Sequence, residues 1–358
     1  MPGPPFDHPR GRRMSTAQLT APAAPGTSSA PAPARRSRLR GLAWLAWRQN
    51  RLAVWTLGGA MLLVCAGLFV LHWQFQDVIS LTLGRCASAS SWNDPACGSL
   101  TGDRGDLMDL YAQVTHKPFF LLPALVGMFL GAPLLAQEHE RGTLLMIRSQ
   151  SVSPLRWLTA RLAVPAVLVT VSVGLFAAMN TWLWYDMHRL RFGGDEVFPG
   201  FTYATIGLAP LAWSLFALAL GVAVGQLVRR TVASVLVTGV LVLGAQVLVQ
   251  AVRVHFVAPS VATYAITGGR AQHLVPPDAW RSDAWLVDHG PVLADGTRLS
   301  ETDCFRHGEA CSASDLAWGS YHPLSHFAPM QLVEGGLLLA VSAALVLLVY
   351  RLVGRTAG

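Results

Sequence analysis

The chain has 358 residues, 52% of them hydrophobic and only 13% charged, with a mean hydropathy of +0.41. Soluble domains carry about 25% charged residues, so this composition excludes an ordinary soluble domain and points to an all-α polytopic membrane protein. The formal charge is +7, and Lys117 is the single lysine; a phosphate-binding GxxxxGK[ST] loop needs a lysine on the phosphates, and Lys117 precedes Pro118 with no glycine pattern before it, so ATP-driven work requires an ATPase on another chain.

Residues 1–40 are rich in Pro, Ala, Ser and Arg and read as a disordered basic leader. Arg12 and Arg13 look like a twin-arginine signal only superficially, because the next apolar run is distant. Met1 and Met14 are both compatible with the start. Residues 41–51, GLAWLAWRQNR, set Trp44 and Trp47 beside Arg48 and Arg51. Indoles at headgroup level with guanidiniums toward water describe an interfacial elbow helix leading into the bilayer.

Apolar runs of about 20 residues cross a bilayer as helix, and six are legible: 52–73, 118–136, 162–185, 202–228, 231–252 and 330–350. They define a transmembrane domain over 52–353 with two long outer loops, 74–117 and 253–326, and a charged loop, 137–161. Six spans put both termini on one side. On that side fall 17 of the 27 Lys and Arg, against 10 opposite, while 16 of the 20 Asp and Glu lie opposite. The positive-inside rule then places both termini in the cytoplasm.

Cysteine positions agree with that orientation. Cys86 and Cys97 share the first outer loop, Cys304 and Cys311 share the last, and Cys65 is alone in the first span. Two local pairs in outward loops point to two disulfides in an oxidising space; no zinc-type CxxC spacing occurs. The second loop also holds turn signals at Gly290-Pro291 and Asp295-Gly296, which predict a hairpin around LVDHGPVLADGTRL.

Other motifs carry less. His139-Glu140 lacks the second histidine of HExxH, and His322 and His326 read as loop histidines. No metal site and no catalytic group is assigned, although Asp103, Asp106 and Asp109 leave an external membrane enzyme as one hypothesis. Gly127xxxGly131 and Gly221xxxGly225 permit close helix approach, within one chain or between two. Pro123, Pro133, Pro165 and Pro210 are expected to kink their spans. Glu334 sits inside the last span, where a carboxylate costs about 2.5–3.5 kcal/mol at the bilayer centre. It is either functional or reaches water at the edge.

The loop 137–161, QEHERGTLLMIRSQSVSPLRWLTAR, is where mechanism concentrates. Glu138, Glu140, Arg141 and Arg148 alternate with Leu144, Leu145 and Ile147, so a short helix there has an apolar stripe beside a charged one. Ser153-Pro154 reads as an N-cap and first helical residue.

With WRQNR before the first span, six spans, and EHERGT followed by QSVSPLRWLTARL after the second, the chain resembles permease subunits of bacterial type-2 ATP-binding-cassette (ABC) exporters. The resemblance implies that Trp47, Arg48, Gln49 and Arg51 lie in the elbow. It further implies that Glu138, Glu140, Arg141, Gly142 and Thr143 open a coupling helix seated on a separate ATP-binding subunit, with Leu144, Leu145 and Arg148 following. ATP and Mg would be held by that subunit, and this chain would bind neither. A second copy or a paralogous permease would complete the pathway in a bacterial plasma membrane. The alternative is a non-transporting sensor or scaffold whose outer cap binds a ligand; nucleic acid is not an expected partner.

Overall fold

The computed structural model describes residues 3, 51–52, 54–85, 98–142, 153–188, 201–265, 284–300, 303 and 315–355. Every element below belongs to the unit Gly41–Gly358. Six helices are long and apolar enough to cross a membrane. The first span opens with a π-helical turn, Val54–Gly58, and continues as Gly59–Arg85; the second runs Gly98–Val126, a π-helical turn Gly127–Gly131, then Ala132–Glu140. The third is Pro154–His188, the fourth Ala209–Val228, the fifth Thr231–Val252 and the sixth Phe327–Arg355. A short helix, Phe201–Thr205, precedes the fourth.

The helices outrun the apolar stretches. The first continues to Arg85 and the second begins at Gly98, well inside the loop expected at 74–117. Helical hydrogen bonds are internal to the segment, so leaving the bilayer does not end a helix. Where the apolar run closes, His72 Nδ1 of the first span lies 3.3 Å from Asp186 Oδ2 of the third, and Gln76 donates to the same oxygen at 3.3 Å.

The molecule is inside-out in its outer face. Leu63, Val232 and Val240 are more than 70% exposed, as residues facing lipid should be, whereas the fourth span is the buried centre, with fifteen of its residues sealed. In lipid, apolarity does not drive helices together, and close backbone packing must. Both glycine motifs supply it, against each other. A Cβ on Gly131 would stand 2.7 Å from Leu218 O and one on Gly127 2.8 Å from Ala217 O, while Gly221 and Gly225 press on the backbone of Gly127 and Ala132. The glycines therefore join the second and fourth spans of one chain.

Prolines behave by position. Pro118, Pro123 and Pro165 lie inside helices. Pro133 and Pro210 instead occupy first turns, Pro210 next to the break at Gly207 and Pro133 just after the π turn. At Pro210 the missing N–H costs nothing, so it does not act as the mid-helix kink expected of it; Pro133 has helix on both sides, and the π turn interrupts the regular helix just before it. The fourth span, read from the sequence as starting at residue 202, is split at Ile206-Gly207-Leu208, where Gly207 has φ +66°.

The membrane part is all helix, and the last large loop adds a small antiparallel sheet, β1 Ser260–Ala265, β2 Trp285–Val292 and β3 Leu316–His322, in the order β1-β3-β2. The expected turn at Asp295-Gly296 forms, with Gly296 at φ +84° and Leu293 N donating to Thr297 O at 2.9 Å. Its return arm is only the bridge Val292–Arg298; the true partner of β2 is β3. Sequence periodicity sees neighbours, and β3 lies too far along the chain.

Candidate functional site

Two polar clusters cap the bundle at opposite ends. At the end holding the 137–161 connection, the second span finishes at Glu140; Arg141 closes it and Gly142, φ +66°, turns the chain away. A glycine in the left-handed conformation is the usual stop there, because L side chains are strained in it. Arg141 and Gly142 are exposed. The two glutamates just before them are engaged within the chain. Glu138 pairs with Arg161 of the third span, each side chain 14% exposed, and Arg161 also donates to Leu134 O at 3.3 Å.

Glu140 reaches the fifth span. Its carboxylate accepts from the Thr231 backbone N–H at 2.8 Å and from the Thr231 hydroxyl at 2.6 Å. Thr231 is the first residue of that helix, preceded by Arg229 in the left-handed conformation and Arg230 in an extended one. First-turn N–H groups have no helical acceptor and favour negative charge, so a glutamate from another helix acts as the cap. His139 adds a bond to Gln226 Oε1 at 3.0 Å, tying in the fourth span. The last turn of the second span is thereby fastened to the third, fourth and fifth.

At the opposite end Glu334 is 1% exposed, and its position is explained by its partners. Arg253, at the close of the fifth span, donates through Nε to Oε2 at 2.9 Å and through a terminal nitrogen to Oε1 at 3.3 Å. Trp213 of the fourth span donates its indole N–H to Oε1 at 2.7 Å. The guanidinium carbon lies 4.0 Å from the centre of the Tyr203 ring, a cation–π contact. The carboxylate is therefore neither snorkelling nor in water; it is paired and sealed, as buried charges must be.

Beside it, the broken helix has its loose backbone groups taken up by side chains. Gln331 accepts from Leu208 N–H at 2.6 Å and donates to Ile206 O at 2.9 Å; Asn180 donates to Thr205 O at 2.9 Å, and Gly207 N–H donates to Thr181 at 2.8 Å. Non-helical backbone at membrane depth is tolerated where protein satisfies it. On the sheet side, His322 is fully buried, with Nε2 3.2 Å from Val254 O and Nδ1 3.2 Å from His326 Nδ1. The carbonyl can only accept, so Nε2 donates and His326 donates to Nδ1. Burial holds the His322 pKa below the usual imidazole value.

The expected site residues separate into three groups. Glu138, Glu140, Arg141 and Gly142 share the end of one helix. Thr143, Leu144, Leu145 and Arg148 lie outside the described residues, as do Trp44, Trp47, Arg48, Gln49 and all four loop cysteines, Cys86, Cys97, Cys304 and Cys311. Arg51 is helical and exposed, and Cys65 is buried in the first span with a free thiol. The stretch containing Asp103, Asp106 and Asp109 is helical, with Asp106 and Asp109 exposed. Among the described residues no three His, Cys, Asp or Glu gather as a metal cage.

Arg253, Trp213, Gln331 and Thr231 were not singled out from the sequence. A signal existed for the first: Arg253 ends one apolar run and Glu334 interrupts another near the same face. Opposite charges at matching depth invite pairing.

A buried helix at the centre, glycine seams, a broken helix with side-chain-capped backbone and polar clusters at both ends define an all-α polytopic membrane protein. The family model described as ABC-2 membrane transporter related matches residues 58–253, more than half of the chain. The chain belongs to that family, as a transporter permease subunit. Neither a curated protein nor a solved structure matches it.

Proposed function

We propose that this chain is the membrane half of an ATP-driven exporter, working by alternating access, with ATP and Mg held by a separate ATP-binding subunit. The observation that carries this reading is the last turn of the second span, braced to three other spans through Glu138, His139 and Glu140 while Arg141 and Gly142 project into solvent. A load applied to the connection after Gly142 cannot move the second span alone. It passes through the Glu138 pair to the third span and through the Glu140 cap to the fifth. The residues from Arg141 to Arg148 form the docking segment, so the glutamates transmit and the arginines and leucines bind.

The rest of the assembly follows from charge and cysteine placement. The basic end, with Arg229, Arg230, Arg351 and Arg355, faces the cytoplasm of a bacterial plasma membrane, along with both termini. The sheet end faces outward, with Cys86 joined to Cys97 and Cys304 to Cys311. Two copies of the chain, or one with a paralogous permease, enclose the pathway, and residues 41–51 form an elbow at the interface.

The test is co-purification with the ATP-binding subunit followed by ATP turnover. Arg141→Glu with Arg148→Glu should abolish the complex. Glu140→Gln should leave the complex intact and uncouple ATP turnover from substrate. Unchanged complex formation in the arginine double variant would overturn the docking assignment.

A further inference from the structure

We infer that the groove between the third, fourth and sixth spans is a binding site for one membrane phospholipid with an anionic headgroup. The third and sixth spans both pack on the fourth, leaving a cavity of about 390 Å³ between them. Its floor is the buried face of Leu218, Ala219 and Val222 of the fourth span. Its walls carry small side chains, Ala163 and Ala343, both exposed. Larger residues there would close the space. The volume lies in the range of ligand pockets, about 300–1,000 Å³, and the groove lies within segments apolar enough to cross a membrane. An acyl chain is the ligand chemistry that such a lining fits.

The basic end of the groove determines the headgroup. There Thr159 and Tyr350 meet at 2.8 Å. The Thr159 hydroxyl proton is committed to Leu155 O at 2.8 Å, so Tyr350 donates to Thr159 and the pair has no proton for a ligand. The available donor is an arginine. Arg156 lies one turn before Thr159 on the same helical face and is exposed, whereas Arg351, one residue past Tyr350, points to another face of its helix. Apolar walls ending beside a guanidinium complement an acyl chain ending in a phosphate, two of whose oxygens suit the planar arginine fork. The site owes nothing to transport direction or to the ATP-binding subunit.

The experiment uses the full-length chain, stripped of native lipid in detergent, titrated with phosphatidylglycerol or phosphatidylcholine and observed by native mass spectrometry. Wild type should keep one phosphatidylglycerol per chain in preference to phosphatidylcholine. Arg156→Gln should reduce that preference about fivefold, and Arg351→Gln, on another face of its helix, should leave it unchanged. Ala343→Phe fills the groove from its exposed rim and should eliminate retention of both lipids with the helical circular dichroism unchanged. Equal retention of the two lipids by wild type, or undiminished retention in Ala343→Phe, would overturn the proposal. So would loss of a homodimer in Ala343→Phe, since the groove would then be an interface between copies. If that variant does not fold, the headgroup preference of Arg156→Gln against Arg351→Gln decides alone, and an unchanged preference in Arg156→Gln would overturn the proposal.

Discussion

The two ends of the bundle solve the same problem, anchoring the fifth span, with opposite physics. At the basic end Thr231 is held by an exposed glutamate from the second span. At the sheet end Arg253 is held by a glutamate that is 1% exposed, with an indole and an aromatic ring completing its surroundings. Water screens the first contact and can replace it, whereas nothing replaces the second. The fifth span is therefore pinned where charge is buried and adjustable where charge is wet.

The sharpest way to break the comparison is at the buried pair. Glu334→Gln or Arg253→Met each leaves one partner buried without its counter-charge, and a loss of about 3–5 kcal/mol is expected. Unfolding in detergent by denaturant measures it. The double variant Arg253→Met with Glu334→Leu should recover part of that loss, since two apolar side chains need no partners while the Trp213 indole N–H is left without its acceptor. An additive double variant would show that the two residues are not coupled. The next effect belongs to the half-buried tie at the other end: Arg161→Met removes a charged bond to Glu138 and another to Leu134 O, an expected loss of about 1.5–3 kcal/mol in the same assay. Glu140→Gln comes third. Its amide keeps one oxygen for Thr231 and loses the charge that favours a helix N-terminus, so the melt should shift least while accessibility of the Thr231 end to a cysteine-directed label rises.

How far these ends were legible in the sequence depends on the range of the signal. The six spans announce themselves, because bilayer thickness imposes a length on every apolar run. Helix ends do not: Arg85 and Gly98 lie beyond the apolar runs, where helix continues without a change in hydropathy that would mark its stop. Glu140 and Arg141 were legible as a charged pair, but their separate roles were not, since the Thr231 cap joins residues that meet only in the fold. The same holds for Glu334, visible as an anomaly in its span while Trp213 was one more apolar letter. β3 escaped because a strand in the middle of a sheet draws its pattern from two partners distant in sequence.

The smallest expected effect sharpens the contrast at the sheet end, where burial acts on a group that titrates near neutrality. His322 faces His326 Nδ1, Val254 O and the Trp285 ring at 5.4 Å. Desolvation lowers its folded pKa, so below the unfolded value, about 6.5, the unfolded chain binds the extra proton more readily. Stability from the neutral ring is then complete above that value and declines as pH falls from it toward the folded pKa. Protonation also puts a donor on Nδ1 facing the donor of His326, which removes the bond between the rings. Intrinsic amide exchange slows on moving from about pH 7.5 to about pH 5.5, so the expected signal is a fall in protection across Leu316–His322 once that slowing is divided out. His322→Gln keeps a donor for Val254 O without titrating and should abolish that fall. An identical pH response in the variant would move the acid sensitivity elsewhere, and the pinned end would then owe its firmness to Arg253 and Glu334 alone.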